Sequence, residues 1–367
     1  MSWIQNLCPP HIQELIPYAS AGRETRSGDI WLNANENPLE KKSGGLEKAL
    51  NRYPQFQPAE ILNAYAAYSA CPAENLLVTR GIDEGIDLLV RAFCEYRRDL
   101  IIYTPPTYGM YSISADAQAI ETAALPLTDD FQLDLAAFKG VYSMDLMRGS
   151  MSGAYPKLIF LCSPNNPTGN VLDREDIIQV LEMTGGKSIV VIDEAYIEFA
   201  PDASFIAEIK NYDNLVVART LSKAFGLAGL RTGFLAANPE IIAVLQKVST
   251  PYPIPVTSVE IARSALSPIG ITAMQDEVNF INGQRESLRS ALESFDFIDE
   301  IFPSAGNFLL LRVKRAADLL AFLDERGVII RDRSSQLGLE NCVRISMGTE
   351  TEQAGLIAAL KAYGDSL

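Results

Sequence analysis

The chain has 367 residues, enough to bury a large core, with 31 basic against 46 acidic side chains and a net charge of −15 at pH 7. This balance lacks the basic surface on which nucleic-acid binding depends, and no apolar run is long enough to span a bilayer. Because the first residues also lack the basic start and apolar stretch of a signal peptide, we expect a cytoplasmic protein.

Cysteine and histidine usage excludes several kinds of site. The five cysteines are odd in number and contain no Cys-x-x-Cys pair, which favours a reduced protein over a disulfide or zinc framework. We expect all five to be buried apolar residues. The single histidine, His11, excludes a multi-histidine metal site and disfavours a hydrolase triad. No metal is therefore predicted.

The N-terminal third begins with a proline-containing segment that we interpret as an arm, residues 1–30. A helix is predicted from about 59 to 70 and a strand at 75–79, after which Gly81 opens a helix with apolar residues at i, i+3, i+4 and i+7. Backbone amides at such a helix N-terminus can bind a phosphate. The alternative is an ordinary strand-to-helix connection.

Apolar strands and helices alternate through the middle of the chain. This order is typical of βαβ units, so we predict an α/β domain over 31–255, with a mostly parallel sheet flanked by helices. Ligands bind such a sheet at the carboxyl ends of its strands. The strands are predicted at 100–103, 158–161, 188–192 and 215–218, with a helix that begins at Asp173 and ends at 185–186.

The pattern changes after Pro251, Pro253 and Pro255. We predict a smaller α+β domain over 256–367, and the N-terminal arm can pack with it. Its predicted elements are helices between 258 and 294, strands at 307–311 and 342–346, a helix at 316–325, and a last helix with a capping box of Thr349 and Glu352.

Polar clusters follow three of the predicted strands. In the segment 219–231, Lys223 lies between a hydroxyl and small residues. A lysine at a strand end can be desolvated enough to lose its proton, and the neutral amine can condense with an aldehyde, so Lys223 is a candidate Schiff-base residue. A solvated loop lysine is the alternative. Arg231 can share an anion with Ser222 and Thr220. The other clusters are Ser-Pro-Asn-Asn-Pro-Thr-Gly at 163–169 and Asp-Glu-Ala-Tyr at 193–196.

Together these motifs resemble the pyridoxal-phosphate aminotransferases of fold type I and, within them, the histidinol-phosphate aminotransferase family. The resemblance covers nearly the whole chain, and its one departure is the segment 142–153, which is longer than we expect there. Besides the three clusters, it rests on Asn-Ala-Asn-Glu-Asn-Pro at 33–38, Asn-Arg-Tyr-Pro at 51–54, Thr-Pro-Pro-Thr-Tyr-Gly-Met-Tyr at 104–111 and Val-Arg-Ile-Ser-Met-Gly-Thr at 343–349.

The resemblance implies pyridoxal 5′-phosphate as the cofactor and Lys223 as the residue that holds it and moves a proton. Asp193 is expected to meet the pyridine nitrogen, and Asn166 and Tyr196 the ring oxygen, while Tyr108 stacks on the ring. Lys223, Asp193 and Tyr196 are the predicted catalytic residues. The phosphate is assigned to Ser222, Thr220, Arg231, the amides of Ile82 and Asp83, and the partner subunit's Tyr53.

The substrate side is predicted from arginines and from the same resemblance. Two guanidinium groups, Arg331 and Arg344, suit a phosphate as well as a carboxylate, and Tyr18, Asn33 and Glu36 are expected to line an imidazole pocket. This implies a homodimer that transaminates between L-histidinol phosphate and 2-oxoglutarate in histidine biosynthesis. An aromatic amino acid aminotransferase, a decarboxylase of the same fold and a non-catalytic cofactor-binding regulator remain alternatives. No basic patch or helix-turn-helix extension favours the regulator.

Overall fold

The computed structural model describes residues 2–17, 32–41, 49–142 and 155–367, and within them the chain forms two β-sheets. The strands of the large sheet are β1 Leu76–Thr79, β2 Asp99–Tyr103, β3 Glu121–Ala124, β4 Tyr155–Cys162, β5 Ile189–Asp193, β6 Leu215–Thr220 and β7 Gly233–Ala237. Those of the small sheet are β8 Ile298–Ile301, β9 Phe308–Val313, β10 Arg331–Asp332 and β11 Cys342–Ser346.

The large sheet has the strand order β1-β7-β6-β5-β4-β2-β3, and only β7 runs antiparallel to its neighbours. The predicted mostly parallel sheet is therefore confirmed. Strands β5 and β6 are buried along their whole length, as their continuous apolar runs predict for a sheet covered on both faces. Because β4, β5 and β6 are parallel, the segments that follow them lie at one edge of the sheet.

The helices of the described chain agree with the predicted alternation. They are α1 Trp3–Leu7, α2 Pro10–Gln13, α3 Ala59–Ser69, α4 Ile82–Phe93, α5 Met110–Ala117, α6 Leu135–Tyr142, α7 Arg174–Thr184, α8 Pro239–Val248, α9 Val256–Ala265, α10 Pro268–Leu292, α11 Ala316–Asp324 and α12 Glu350–Gly364. Asp173 caps α7 through its side chain, and Thr349 and Glu352 form the predicted capping box of α12. None of these helices has the length and apolarity needed to cross a bilayer.

Several of these elements are absent from the sequence prediction: the helices α1, α2, α5, α6 and α8 and the strands β3, β7 and β8. Strand β3 lies at the edge of the sheet and has no buried residue, so its sequence Glu-Thr-Ala-Ala carries no apolar pattern. The short β7 contains two alanines and a glycine, which have little strand character by themselves. Both strands depend on pairing with neighbours distant in sequence, which local patterns do not report.

The N-terminal residues that the structure describes pack onto the large sheet's helices. Ile4, Leu7 and Ile12 are buried in the larger of the cores, and the ammonium of Lys247 on α8 donates to the carbonyl oxygen of Gln13 at 2.9 Å. The part of the predicted arm beyond residue 17 lies outside the described residues, as does most of the unusual segment 142–153. All five cysteines are buried and unpaired, as predicted.

Two main hydrophobic cores correspond to the two sheets. The larger one surrounds the seven-stranded sheet, and the smaller one packs β9 and β11 against α11 and α12. Helix α10 belongs to both, because Met274 and Val278 are buried in the larger core whereas Leu288 and Leu292 are buried in the smaller one. The domain boundary near residue 255 stays a prediction.

The small sheet is linked to the loop after β4 by backbone contacts. The amide of Ala305, just before β9, donates to the carbonyl oxygen of Gly169 at 2.7 Å. Gly169 has φ 84°, and a Cβ there would lie 2.6 Å from the Ser304 hydroxyl oxygen. Only glycine suits both this conformation and this close approach. The small sheet is thereby set against the carboxyl edge of the large one.

Candidate active site

A cavity of about 160 Å³ opens at the carboxyl edge of the large sheet and brings together most of the predicted site residues. Strands β4, β5 and β6 lead into it, and the N-terminus of α4 and the start of α5 close its sides. Its lining residues are Ile82, Asp83, Tyr108, Cys162, Asn166, Asp193, Ala195, Tyr196, Thr220, Ser222, Lys223 and Arg231.

Asp193, the last residue of β5, is a buried carboxylate at the base of the cavity, with 3% of its surface exposed. It accepts hydrogen bonds from the hydroxyl of Tyr111 at 2.8 Å and from the amide of Ala195 at 3.0 Å. Burial raises its pKa to about 6, although these hydrogen bonds and the nearby Lys223 act in the opposite direction. A cationic partner in the cavity would therefore stabilise this carboxylate.

Lys223 follows β6 and is half-buried, with its ammonium 5.3 Å from the centre of the Tyr196 ring. Burial lowers the pKa of Lys223, the charges of Arg344 and Arg231 lower it further, and those of Asp193 and Asp83 oppose the change. Desolvation is the first of these causes, as expected for a lysine at the end of a buried strand. The site thus favours the neutral amine that nucleophilic chemistry requires.

Hydroxyls and amides meet where α4 begins. Gly81 adopts φ 84° before the first helical residue, and the guanidinium of Arg231 lies so close that a Cβ on Gly81 would be 2.8 Å from it. The Thr220 and Ser222 hydroxyl oxygens are 2.9 Å apart at the end of β6. A helix N-terminus beside two hydroxyls and a guanidinium is a suitable site for a phosphate.

In the structure Arg231 pairs with the Asp83 carboxylate at 3.0 Å, and both side chains are about half exposed. The second oxygen of Asp83 accepts a hydrogen bond from the hydroxyl of Tyr108 at 2.8 Å. An anion at this helix N-terminus would compete with Asp83 for Arg231, and such an exposed ion pair contributes little to stability.

The loop that carries Asn166 is held by its neighbour Asn165. The buried Asn165 amide donates to the carbonyl oxygen of Pro106 at 2.8 Å, and its oxygen accepts from the Thr107 hydroxyl at 2.8 Å. These bonds fix the loop after β4 to the loop that positions Tyr108. Asn166 itself accepts a hydrogen bond from Arg344 on β11, which connects the cavity to the small sheet.

Of the two arginines predicted to bind the substrate, one lies near the cavity and is half-buried, and the other is exposed. Arg344 is half-buried beside Asn166, with its guanidinium 5.2 Å from the centre of the Phe308 ring, whereas Arg331 is exposed.

Asn33 is exposed, and Glu36 accepts hydrogen bonds from Arg52 and from the Tyr53 amide, outside the cavity of its own chain. Tyr53 is 57% exposed and stacks on Tyr252, again outside this cavity. Tyr18 lies outside the described residues.

Two residues at the site, Tyr111 and Arg333, have no role predicted from the sequence. Tyr111, fully buried, holds Asp193 and stacks on Phe160 with ring centres 4.9 Å apart. It lies in the first turn of α5, three residues after Tyr108, and the two rings meet edge to face with their centres 5.7 Å apart. Arg333 lies two residues after Arg331 and is half-buried. Alternation along a strand is the signal that could have found it.

Behind the cavity, a buried ion pair supports β5 and β6. Glu194 follows Asp193 and points away from the cavity, where its carboxylate receives the guanidinium of Arg219 at 2.8 Å. The same carboxylate accepts from the amide of Phe205, and Arg219 also donates to the Ser204 hydroxyl at 2.6 Å. Both charged groups are therefore satisfied, as a buried pair requires.

Replacement of Asp193 by asparagine is expected to stabilise the cofactor-free protein at pH 8 by about 2–3 kcal/mol, because the folded state then no longer has to hold a buried negative charge. The raised pKa of Asp193 stabilises the folded protein at pH values where the carboxyl is protonated. This contribution is lost as the pH rises from about 4, the pKa in the unfolded chain, through about 6, the pKa in the folded protein. Urea unfolding of both proteins between pH 5 and 8 should show the difference shrinking as the pH falls.

The control is Asp116→Asn, which removes an exposed carboxylate of α5. It should leave the unfolding midpoint nearly unchanged over the same pH range. A Asp193→Asn protein that is less stable than the parent at pH 8, or a difference that does not vary with pH, would contradict the proposed cost of the buried charge.

Comparison with known proteins identifies the family. The model for aminotransferase class I and II matches residues 27–360. The chain is 46% identical over 358 residues to a histidinol-phosphate aminotransferase of Haemophilus influenzae, covering 98% of this chain and 99% of the relative. The fold is similar to the histidinol-phosphate aminotransferase of Clostridium acetobutylicum, with a TM-score of 0.75, 25% identity and coverage of 87% of this chain and 92% of the other.

The fold alone does not separate reaction types. The chain is also similar to an L-threonine-O-3-phosphate decarboxylase of Porphyromonas gingivalis, with a TM-score of 0.70, 26% identity and coverage of 86% of this chain and 91% of the other. The nearly full-length sequence identity to the first relative decides the assignment. The chain belongs to the class I and II aminotransferases and, within them, to the histidinol-phosphate aminotransferase family.

Proposed function

We propose that this enzyme transaminates between L-histidinol phosphate and 2-oxoglutarate in histidine biosynthesis, as a cytoplasmic homodimer with pyridoxal 5′-phosphate as its cofactor. The observation that carries the proposal is the meeting of a desolvated lysine and a buried aspartate in one cavity, next to a half-buried arginine. Lysine and aspartate suit the cofactor, and the arginine suits an anionic substrate.

The cavity fits this cofactor by the chemistry of its donor set. Burial raises the pKa of the Asp193 carboxylate, and a protonated pyridine nitrogen would place a stabilising cation beside it. The hydroxyls of Thr220 and Ser222, with Arg231 and the amides of Ile82 and Asp83, match a phosphate at a helix N-terminus. Pyridoxal phosphate contributes an electron sink for the bonds at the substrate's Cα.

The remaining chemistry belongs to the protein's own side chains. Asp193 would keep the pyridine nitrogen of the cofactor protonated, and the hydroxyl of Tyr111 holds Asp193 in place. Lys223, whose pKa is lowered by burial, would hold the cofactor through its aldehyde carbon and would move the proton at the substrate's Cα as a general base and acid. Asn166 and Tyr196 are assigned to the ring oxygen, and Tyr108 to the face of the ring.

The substrate anion is assigned to the small sheet. Arg344 reaches the cavity through Asn166, and its Nε is buried without a hydrogen-bond partner among the described residues. A substrate phosphate or carboxylate would provide that partner. Arg331, directly opposite Arg344 on β10, is the second assigned guanidinium. Tyr18, Asn33 and Glu36 stay proposed for the imidazole pocket on the resemblance alone.

The first prediction concerns Lys223. Replacement by alanine should abolish transamination and also abolish attachment of the cofactor by borohydride reduction, because Lys223 is the lysine of the described chain that lines the cavity. Reduction of the parent protein followed by peptide mapping should find the label on Lys223. Replacement of the exposed Lys361 on α12 is the control and should leave both properties intact. A label on any other lysine would remove Lys223 from this role.

The second prediction concerns the amino donor. In a glutamate-forming assay, kcat/KM should be higher for L-histidinol phosphate than for L-phenylalanine or L-tyrosine, since a phosphate offers the arginines near the cavity more charge and more acceptor oxygens than the single carboxylate of those amino acids. If an aromatic amino acid is the better donor, the substrate assignment is wrong and the protein is an aromatic amino acid aminotransferase instead. Release of carbon dioxide from an amino acid donor would favour a decarboxylase instead.

The third prediction concerns shared active sites. Tyr53 is exposed on its own chain and stacks on Tyr252 with ring centres 4.3 Å apart, which supports its assignment to the cofactor phosphate of a second subunit. A mixture of Tyr53→Phe and Lys223→Ala subunits should regain activity, because half of the mixed dimers' sites then contain both parent residues. The comparison is with each variant alone. No gain in a mixture shown to exchange subunits would contradict a shared site.

A further inference from the structure

The small sheet carries three arginines on one face. Arg331 on β10 is directly opposite Arg344 on β11, and the Arg333 amide continues the pairing by donating to the carbonyl oxygen of Cys342 at 2.9 Å. Because side chains alternate along a strand, Arg331 and Arg333 share the face of Arg344, while Asp332 takes the other face. That other face includes Val343, which is buried in the smaller core. The three arginines therefore face away from this core.

Unpaired polar atoms gather on the arginine face. The Nε atoms of Arg333 and Arg344 and the side-chain oxygen of Gln336 are buried and have no hydrogen-bond partner among the described residues. Gln336 is fixed beside them, since its amide donates to the carbonyl oxygen of Arg333 at 3.0 Å. Its side-chain nitrogen lies 3.5 Å from the carbonyl oxygen of Thr107, next to Tyr108 of the cavity. These atoms thus lie beside the candidate active site.

The charges on this face are close enough to affect one another. Burial lowers the pKa of Arg333 to about 10, the charges of Arg344 and Arg331 add to the effect, and Tyr196 and Asp332 oppose it. Arg344 is shifted in the same direction by burial and by Arg331. Neither Arg333 nor Arg344 has an ion-pair partner in the described chain. The three guanidinium groups therefore repel one another. A bound anion reduces this repulsion, and a dianion reduces it more than a monoanion does.

We propose that Arg333 is a specificity-determining residue that, with Arg344, binds the phosphate monoester group of the amino donor and favours it over a carboxylate. A phosphate monoester carries a charge of about −1.5 to −2 at pH 7 and has three strong acceptor oxygens, one more than a carboxylate. Two guanidinium groups and their unpaired Nε donors match that larger acceptor set. The inference rests on the proposed function, because it concerns the phosphorylated donor.

The test compares two amino donors in single half-reactions of the holoenzyme, followed by the cofactor's absorbance. Arg333→Gln should lower kcat/KM for L-histidinol phosphate by about 10- to 100-fold, the size of a lost hydrogen bond to a charged group. For glutamate, whose two anionic groups are carboxylates, the loss should stay below about threefold, since Arg344 alone can pair a carboxylate. Arg289→Gln, which removes a partly exposed arginine of α10 that pairs with Glu293, is the matched control and should change neither value.

Inhibition gives a second readout that does not depend on turnover of the phosphorylated donor. Inorganic phosphate should compete with glutamate in the parent holoenzyme, and Arg333→Gln should raise its inhibition constant by about tenfold or more. Arg333→Lys, which keeps the charge but loses the planar fork, should lose less than Arg333→Gln in both measurements. It also supplies the decisive comparison if the glutamine variant does not fold.

The outcomes separate the two proposals. Equal losses with both donors, or an unchanged inhibition constant, would overturn the role of Arg333 while leaving the transamination intact. If the parent enzyme does not use L-histidinol phosphate, the proposed function fails, and the inhibition by inorganic phosphate alone then decides whether Arg333 binds phosphate. A selective loss with the phosphorylated donor supports the assignment, because a merely structural role would lower kcat/KM for both donors.

Discussion

Burial at the carboxyl edge of the large sheet is the constraint on which the site depends. It acts on two groups of opposite charge, and it moves each toward its neutral form: the pKa of Lys223 falls and that of Asp193 rises. Their mutual attraction opposes both changes but does not cancel either. The folded protein therefore disfavours the charged form of both the lysine and the aspartate. A single physical cause, loss of water, gives the two groups their complementary roles.

Parallel strands make this arrangement possible because they bring residues distant in sequence to one edge of the sheet. Successive side chains at that edge point in opposite directions, into the cavity or into the protein core behind it. Asp193 faces the cavity, whereas the next residue, Glu194, turns to the opposite side and forms a buried ion pair with Arg219 of β6. The pair holds β5 and β6 together directly behind the site. Both groups make further hydrogen bonds, to Ser204 and to the amide of Phe205, so the pair does not leave an uncompensated charge in the core.

The strand ends that carry Asn166, Asp193 and Lys223 could be predicted because long apolar runs with a polar residue at the end are local patterns. Residues whose position depends on the packing of one element against another could not be predicted in this way. Tyr111 becomes a site residue only through the packing of α5 against the large sheet. Arg333 is distinguished from a surface arginine only by the register of β10 on β11. The exposed position of Tyr53 reflects a different limit, since its proposed contact is with a neighbouring subunit and a single chain cannot display that contact.

The sharing of α10 between two cores has a mechanical consequence. Gly283 lies after Ile281, which packs against the larger core, and before Leu288, which is buried in the smaller one. A Cβ on Gly283 would meet no atom within 4 Å, so packing does not require a glycine there. Glycine in a helix interior costs about 1 kcal/mol relative to alanine. Gly283 therefore lowers the helix propensity of α10 at a point between the two cores. A bend at this point changes the tilt of one sheet against the other, and with it the distance between the arginine face and the cavity, while the packing inside each core stays the same.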